Sequence, residues 1–326
     1  MATHRALITL DFVHPGDEVD RRLTEADVQT VYDPWHGGRT EAEMISLLKG
    51  IDAVLADIDP FTAPVLNSAD RLKVISRPGV GYDAIDVKAA TANGVAVCTT
   101  PGSNRHSVAE LAIAMMLQCA RKIMENEAVV RSGGWTRVVG NEMAGSTLGI
   151  VGLGIIGKEV AQRARAFEMR VLAHDLVQDQ QFAEEHQVTY VPLEQLLRES
   201  DYVSLHVFLD QRTRHLINGE RLALMKPTAY LINTARGPIV DEEALVQALK
   251  EKRIAGAALD VFTQEPLPMD SPLRDLDNVY LYPHLAGSTK EVFRSSGLMA
   301  AENAIRVLRG ELPLHIVNPE VLRPRV

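Results

Sequence analysis

Three short segments in the last third of the sequence carry side chains that could do chemistry. Arg236 follows the predicted strand Tyr230–Asn233, Glu265 lies in the string ALDVFTQEP, and His284 lies in the string YPHLAG. Ligands of open α/β sheets bind beyond the carboxyl ends of the strands, and a guanidinium there can hold a carboxylate through two parallel hydrogen bonds. Taken singly, the arginine could cap a strand end, the glutamate could form a surface ion pair and the histidine could be structural. Their interpretation therefore depends on the elements that position them.

A glycine-rich turn precedes these segments. The string GLGIIG, from Gly152 through Gly154 to Gly157, follows the apolar strand Thr147–Val151 and precedes a helix predicted over residues 158–167. In that setting the glycines permit a tight turn, close approach of the backbone to a pyrophosphate, and packing of helix on strand, while the helix N-terminus attracts the phosphates. The alternative, a glycine-rich surface turn, does not explain the position between a strand and a helix.

The strand after this turn ends in Asp175, 18 positions after Gly157. A carboxylate there can accept hydrogen bonds from a ribose diol. Residues 176–178, Leu-Val-Gln, contain no arginine to hold a 2′-phosphate. The sequence therefore predicts NAD rather than NADP as the cofactor.

The bulk composition limits the classes of partner. The chain has 326 residues, which suggests about two domains, and its 46% hydrophobic and 24% charged residues are typical of a soluble globular protein. The formal net charge of −9 argues against a nucleic-acid or anionic-membrane surface, which clustered Lys and Arg would provide. No apolar stretch has the length of a signal-peptide core or a bilayer span, and Cys98 and Cys119 lack metal-ligand spacing. We therefore expect a cytoplasmic protein with buried thiols and no metal, membrane or nucleic-acid partner.

Short β-branched apolar runs alternate with helical patterns along the chain, which predicts the α/β class with parallel sheets. A capping box, Thr40 with Glu43, marks one helix start. The turn-forming segment Pro101–Asn104 is interpreted as a hinge between two series of strands. The apolar helix predicted over residues 108–120 must be buried on more than one side, either in a core or in a subunit interface. The predicted strands are Ala6–Leu10, Asp52–Ala56, Leu72–Ser76, Val95–Cys98, Thr147–Val151, Arg170–Ala173, Tyr202–His206, Tyr230–Asn233, Ala257–Val261 and Val279–Leu281.

Together, these strings resemble those of the D-isomer-specific 2-hydroxyacid dehydrogenase family, which includes D-3-phosphoglycerate dehydrogenases and glyoxylate/hydroxypyruvate reductases. The resemblance extends over nearly the whole chain and includes GVGYD from Gly79, TPGSN from Thr100 and VAEL from Val108. It implies two doubly wound parallel-sheet domains with a cleft between them. A Rossmann NAD-binding domain would span residues 101–285, and a flavodoxin-like substrate domain would combine residues 1–100 and 286–326. The resemblance also implies a homodimer built on the cofactor domains, with helix 108–120 in the interface.

The resemblance further implies a role for each candidate residue. Arg236 would bind the substrate carboxylate, His284 would be the acid/base partner of the 2-oxygen, and Glu265 would support the histidine. Backbone N–H groups at Val80 and Gly81 would complete the carboxylate site. The expected cofactor contacts are Gly152, Gly154, Ile155, Ile156, Gly157, Asp175, His206, Thr234, Gly287 and Asp260, the last of these facing the nicotinamide carboxamide. The expected substrate contacts are Arg77, Val80, Gly81, Asn104, Arg236 and His284.

These residue types suit the interconversion of a small 2-hydroxy acid and its 2-oxo acid. Hydride transfer to a ketone leaves a developing alkoxide, so the site needs a proton donor on that oxygen and a fixed cation nearby. His284 and Arg236 meet those needs, and a carboxylate beside an imidazole favours its charged form. In the oxidation direction the same imidazole must be neutral to accept the proton.

Some residues depart from the family pattern. Relatives commonly carry proline where Phe208 stands and a small residue where Pro78 stands, and His106 is a further departure. These differences leave open the shape of the cofactor wall and of the substrate side. One hypothesis is that Arg77 or Arg105 meets a second anionic group, such as a phosphate at C3; the alternative is that both are ordinary solvated cations.

Other functions are known on similar scaffolds. Formate dehydrogenases usually have glutamine where Glu265 stands, which disfavours that activity. Phosphite oxidation stays open. So does a non-catalytic, NAD-sensing role like that of the C-terminal-binding co-repressors, although no peptide-docking or nucleic-acid feature of the sequence supports it.

Overall fold

A computed structural model describes residues 3–34 and 38–322 and divides into two compact α/β units. Unit 1 comprises Met1–Asn104 and Gly287–Val326, and unit 2 comprises Arg105–Ala286. The chain thus enters unit 2 once, completes it, and returns to unit 1.

Unit 1 is built on a five-stranded sheet in which every pair of neighbours is parallel. Its strands are β1 (His4–Ile8), β2 (Val28–Tyr32), β3 (Ala53–Leu55), β4 (Val74–Arg77) and β5 (Ala96–Thr99). They lie in the order β2-β1-β3-β4-β5, which is the flavodoxin-like order with its switch point between β1 and β3. Successive residues enter opposite cores, since Ile8 packs on one face and Leu7 on the other.

Four short helices connect these strands: α1 (Glu18–Thr24), α2 (Glu41–Leu47), α3 (Ala63–Ser68) and α4 (Val87–Ala92). The capping box predicted at Thr40 is confirmed, because its side chain accepts the N–H of Glu43 while the Glu43 carboxylate accepts the N–H of Thr40. Behind this start, Met44 packs with Leu66 and Ile75 against the sheet. Apolar burial rather than helix length therefore holds these elements in place.

Unit 2 is built on a seven-stranded sheet, again with parallel neighbours. The strands are β6 (Thr147–Val151), β7 (Arg170–His174), β8 (Val188–Tyr190), β9 (Tyr202–Leu205), β10 (Tyr230–Asn233), β11 (Gly256–Leu259) and β12 (Val279–Leu281). The order β12-β11-β10-β9-β6-β7-β8 is the Rossmann order extended by one strand, with its switch point between β6 and β9. The predicted fold class, two parallel-sheet α/β units, is confirmed.

Helices cover both faces of this second sheet. They are α5 (Arg105–Arg121), α6 (Ile123–Arg131), α7 (Ile155–Ala166), α8 (Gln180–Glu185), α9 (Leu193–Glu199), α10 (Gly219–Leu222) and α11 (Glu242–Lys250). In α5, Ala112, Met115 and Met116 are buried in one core with Val160 and Ala161 of α7. The apolar helix predicted over residues 108–120 is therefore a core helix of its own unit, while its place in an interface stays a prediction.

The last helix, α12 (Lys290–Leu308), completes unit 1 from the far end of the chain. Ala300, Ala304 and Ile305 are buried against the β1 face of the sheet. Asn303 is also buried, and its amide donates to the Thr99 carbonyl. The segment after residue 286 is thus part of the unit 1 core.

Some elements of the structure differ from those predicted from the sequence. Strands β2 and β8 were not predicted, and α7 begins at Ile155 rather than Lys158 because the glycine motif itself forms its first turn. The domain boundaries predicted after residues 100 and 285 fall slightly before those observed. The parts of the domain prediction on residues 1–2, 35–37 and 323–326 lie outside the described residues.

Candidate active site

The three glycines of the β6–α7 turn are needed for three different reasons. Gly152 has φ +97°, and a Cβ there would lie 2.7 Å from the His206 backbone carbonyl. At Gly157 a Cβ would lie 2.2 Å from the Gly152 carbonyl oxygen, so helix and strand could not pack as closely. Gly154 differs, because no atom of the described residues lies within 4 Å of its added Cβ. The turn is therefore tight at both ends and open in the middle, as approach of a pyrophosphate to the backbone requires.

The N-terminus of α7 and Asp175 border this open space. Gly154 is the N-cap of α7 and provides no side-chain cap, so the first-turn N–H groups suit a phosphate. At the end of β7, the Asp175 carboxylate accepts the N–H of Leu153 at 2.7 Å and the N–H of Val177 at 3.1 Å. The acid predicted for the ribose is thus joined directly to the glycine turn.

Among the described residues, no lysine or arginine lines the depression beside Asp175. An open depression of about 550 Å³ adjoins the carboxylate. It is lined by His174, Asp175, Gln178, Gln180, Val188, Thr189, Tyr190, Val191 and Pro192. A ribose 2′-phosphate would find no strong cation there, whereas a ribose diol needs none.

Two predicted cofactor contacts at neighbouring strand ends also fit a polar ligand. Thr234, after β10, is buried, and its hydroxyl has no hydrogen-bond partner within the described part of the chain. His206, after β9, places Nε2 2.8 Å from the Ser204 hydroxyl, and burial lowers the pKa of His206 to about 4. The ring is therefore neutral near pH 7, and the contact of His206 with the cofactor stays a prediction. The glycine turn, Asp175 and the unpartnered Thr234 hydroxyl together fit a dinucleotide.

Arg236 is held at the carboxyl end of β10 by its neighbours. The buried Asn233 side chain accepts the N–H of Ala235 and donates to the Arg236 carbonyl at 2.9 Å. At Gly237 an added Cβ would lie 1.9 Å from the backbone carbon of Phe262, so only glycine lets the two loops touch. The arginine segment therefore packs directly on the loop that leads to Glu265.

Glu265 and His284 form a hydrogen-bonded pair in unit 2. Glu265 Oε2 lies 2.6 Å from His284 Nδ1, and its Oε1 accepts the N–H of Phe262 at 2.9 Å. Burial alone would raise the pKa of Glu265. Four opposing effects together outweigh burial and lower this pKa: the hydrogen bond from His284, the charge of His284, the N–H of Phe262 and the charge of Arg236. Its net pKa lies below the usual range, so the carboxylate is ionised at neutral pH. The structure thus brings the three predicted catalytic residues into one electrostatic group.

Asp260 holds the turn that carries the histidine. Its carboxylate accepts the N–H groups of Leu285 at 2.8 Å and Ala286 at 2.9 Å, and its carbonyl accepts the N–H of His284. Burial raises the pKa of Asp260, and the two N–H donors oppose that shift. The nicotinamide contact implied for Asp260 stays a prediction; the support it gives to the 284–286 turn was missed, because contacts between distant loops leave no spacing signal.

The predicted substrate contacts Arg77, Val80, Gly81 and Asn104 belong to unit 1. The Arg77 guanidinium donates to the Gly81 carbonyl and, at 3.4 Å, to the Asp57 carbonyl. Gly79, with φ +93°, donates its N–H to the Thr100 hydroxyl at 2.6 Å. Hydrogen bonds therefore shape the loop after β4. The substrate-binding roles of the four residues stay predictions.

Two of the departures from the family pattern, Phe208 and His106, lie on exposed surface, and the third, Pro78, is half-buried. Phe208 is 64% exposed, in the loop after β9. Arg105 pairs with Glu159 at 3.2 Å, and His106 Nδ1 lies 3.2 Å from the same carboxyl group. Arg77 and Arg105 thus both have partners within the protein, and whether either of them meets a second anionic group of the substrate stays a prediction.

The described residues, 3–34 and 38–322, lack two other kinds of functional feature. They contain no group of three or more His, Cys, Asp or Glu placed to hold a metal ion. No helix among them is long and apolar enough to cross a membrane. Cys98 and Cys119 are buried and unpaired, and burial raises the pKa of each thiol to about 12.

A dinucleotide turn with a carboxylate-supported histidine in the same unit defines a dinucleotide-dependent oxidoreductase. Residues 113–286 match the family described as D-isomer specific 2-hydroxyacid dehydrogenase, NAD binding domain. The chain is 44% identical over 315 residues to a glyoxylate reductase of Korarchaeum cryptofilum (strain OPF8), covering 94% of this chain and 95% of that protein. It belongs to the D-isomer-specific 2-hydroxyacid dehydrogenase family and is an NAD-dependent dehydrogenase.

Other relatives extend this finding. A D-3-phosphoglycerate dehydrogenase of Methanocaldococcus jannaschii is 44% identical over 285 residues, covering 86% of this chain but 54% of that protein. The crystal structure of D-lactate dehydrogenase from Aquifex aeolicus, complexed with NAD and lactic acid, aligns with a TM-score of 0.86 and 29% identity, over 98% of this chain and 100% of that one. Both the family and this neighbour confirm NAD as the cofactor.

Proposed function

We propose that this enzyme reduces a short, unphosphorylated 2-oxo acid, such as glyoxylate or hydroxypyruvate, to the D-2-hydroxy acid. The observation that carries the proposal is the Glu265–His284 pair, 2.6 Å apart, in the same unit as Arg236 and the glycine turn. The glyoxylate reductase relative, matched over 95% of its length, supports this substrate class.

Each polar group has one part in the reaction. A dinucleotide held by the glycine turn and Asp175 would supply the hydride as NADH in reduction and accept it as NAD+ in oxidation. The Arg236 guanidinium holds the substrate carboxylate. Because Glu265 engages Nδ1 of His284, Nε2 is the nitrogen that gives a proton to the 2-oxygen in reduction and takes it back in oxidation. Glu265 stabilises the charged imidazole, and Asp260 fixes the turn on which the imidazole is carried.

The surroundings of Arg77 and Arg105 favour a substrate without a phosphate. Arg77 donates to two backbone carbonyls, and Arg105 pairs with Glu159. A phosphate at C3 would have to compete with these partners for either guanidinium.

Steady-state NADH consumption with glyoxylate, hydroxypyruvate and 3-phosphohydroxypyruvate tests the proposal. We expect kcat/KM for one of the first two acids to exceed that for the phosphorylated acid by at least about ten-fold, since a phosphate would have to displace the partners of Arg77 or Arg105. Arg77→Ala and Arg105→Ala serve as controls and should change both substrate types alike. Preference for the phosphorylated acid, lost selectively in either variant, would refute this choice.

We also infer a homodimer formed through unit 2. The α6 helix buries no residue in its own chain, and Ile123, Met124, Val130, Trp135 and Val139 in and after it are each more than half exposed. An apolar patch of this kind is typical of a protein interface, and a second copy of unit 2 is the partner implied by the family. Light scattering after size exclusion should give twice the chain mass, and Trp135→Ser should lower it. A monomeric parent protein would contradict the inference.

A further inference from the structure

Glu242 lies at a second connection between the arginine segment and the glutamate loop. It is the first residue of α11, whose start is fixed by Asp241: this N-cap side chain accepts the N–H of Ala244 at 3.1 Å. From there, Glu242 Oε2 accepts the backbone N–H of Thr263 at 3.0 Å. Thr263 immediately follows Phe262, the residue that packs on Gly237. Glu242 therefore bonds to the loop at the point where the two segments touch.

The bonds of this loop form a short chain that ends at the imidazole. Glu242 holds the N–H of Thr263, the N–H of Phe262 bonds to Glu265 Oε1, and Glu265 Oε2 engages His284 Nδ1. Two consecutive peptide N–H groups are thus bound by two carboxylates, one structural and one next to the imidazole. A shift of the backbone at Thr263 would change the direction in which the Glu265 side chain projects from the loop.

We propose that Glu242 is a positioning residue for this dehydrogenase. Its carboxylate fixes the loop Phe262–Glu265, and through that loop it sets the alignment of Glu265 with His284. The inference rests on the proposed roles of Glu265 and His284. Glu242 itself touches neither substrate nor cofactor; its effect passes through the backbone.

Three variants and one matched control test the proposal. Glu242→Ala removes the acceptor, Glu242→Asp keeps the charge but shortens the reach, and Glu242→Gln keeps an oxygen acceptor without the charge. Glu243→Ala is the control, because the exposed Glu243 also carries a negative charge in the first turn of α11. Thermal unfolding of each variant separates loss of the fold from loss of alignment.

We expect Glu242→Ala and Glu242→Asp to lower kcat for glyoxylate reduction by about three- to ten-fold, with KM for NADH unchanged. A looser Glu265 supports the imidazolium less, so the basic limb of the kcat/KM profile should move to lower pH by about half a unit. Glu242→Gln should stay near the parent in both respects. A purely structural role would lower the melting temperature without moving the pH profile.

The results separate failure of this inference from failure of the proposed function. Should Glu242→Ala and Glu242→Asp match Glu243→Ala in kcat and in pH profile, Glu242 has no positioning role. Replacement of His284 without loss of activity would instead overturn the proposed chemistry itself, whatever the Glu242 variants do.

Discussion

The backbone of His284 lies in the left-handed region, with φ +53°. Histidine is one of the residues that tolerate this conformation, but it needs local support. That support comes from Asp260, which binds the N–H groups of residues 284, 285 and 286 through its carbonyl and its carboxylate. One buried aspartate therefore supports the backbone that carries the ring, and Glu265 engages the Nδ1 atom of the ring.

Replacing His284 with asparagine should remove proton transfer while leaving a residue that accepts the left-handed backbone. We expect kcat for 2-oxo acid reduction to fall by about 10²–10⁴-fold. NADH binding should persist, because the glycine turn and Asp175 do not depend on the imidazole. Stopped-flow turnover and a fluorescence titration of NADH measure the two quantities. A loss below ten-fold would contradict the role assigned to the ring.

His206 predicts a pH dependence of stability. Burial lowers its pKa to about 4, whereas an unfolded histidine titrates near ~6.5. Between these values the unfolded state binds the extra proton, so the stability due to a neutral His206 is present above about pH 6.5 and is lost as the pH falls. In urea unfolding, the His206→Asn variant should lose less stability over this range, by up to about 1.4 kcal/mol per pH unit. Identical slopes for both proteins would show that this histidine titrates normally.

For single residues, the candidate catalytic side chains could be predicted from the sequence, but the residues that hold them in place could not. Arg236, Glu265 and His284 were found because their residue types and strings are informative. Asn233, Gly237 and the carboxylate contacts of Asp260 were missed, because they act between loops that follow different strands. Such contacts depend on strand order, which hydrophobic periodicity does not encode.

Among the elements, the β6–α7 turn contains glycines that are needed for packing and a glycine that is needed for ligand approach. Gly152 and Gly157 are required by contacts within the protein, whereas Gly154 faces open space. The same residue type therefore serves folding at two positions and ligand approach at the third.

Alanine substitutions should separate these functions. Gly157→Ala places a Cβ against the Gly152 carbonyl and should lower the free energy of unfolding by about 1–3 kcal/mol. Gly154→Ala should fold like the parent but bind NADH about ten-fold more weakly, a cost of about 1.4 kcal/mol. Calorimetry and NADH titration on both variants provide the comparison. The assignment fails if Gly154→Ala binds NADH as tightly as the parent protein.

The elements missed from the sequence are both at sheet edges. In β2, residues Val28–Tyr32, only Val28 is buried, and β8 has three residues, of which only Val188 is buried. Edge strands need little apolar character, because one side has no neighbouring strand and the faces are partly solvated. The central strands were recognised because both of their faces are buried, which gives a continuous apolar run.

For the whole molecule, two parallel sheets of different strand order share one chain, and unit 1 depends on both ends of it. Asn303 and Asn318 carry much of that dependence. Asn303 links α12 to Thr99, and Asn318 accepts the N–H of Val97 at 2.8 Å and donates to the Val95 carbonyl at 2.9 Å. The α/β class could be predicted from alternation alone, whereas the return of the chain followed only from the family resemblance.

Asn318→Ala should therefore destabilise unit 1 from a distance in sequence. The substitution leaves the buried N–H of Val97 and the carbonyl of Val95 without that partner, at about 1–3 kcal/mol. Asn93→Ala, which removes an exposed amide with two hydrogen bonds, should cost less. Thermal melting of both variants checks this order. Equal losses would mean that the C-terminal segment does not hold β5.

The split construction of unit 1 has a consequence during synthesis. The strands β1 to β5 are synthesised before unit 2, yet the part of the sheet face that α12 covers lacks its cover until the residues after Ala286 have emerged. Unit 2 is one uninterrupted segment and can finish its core during that interval. The nascent enzyme thus passes through a stage with a completed NAD-binding half and an apolar sheet that is covered only in part, which is when a chaperone would have the most to shield.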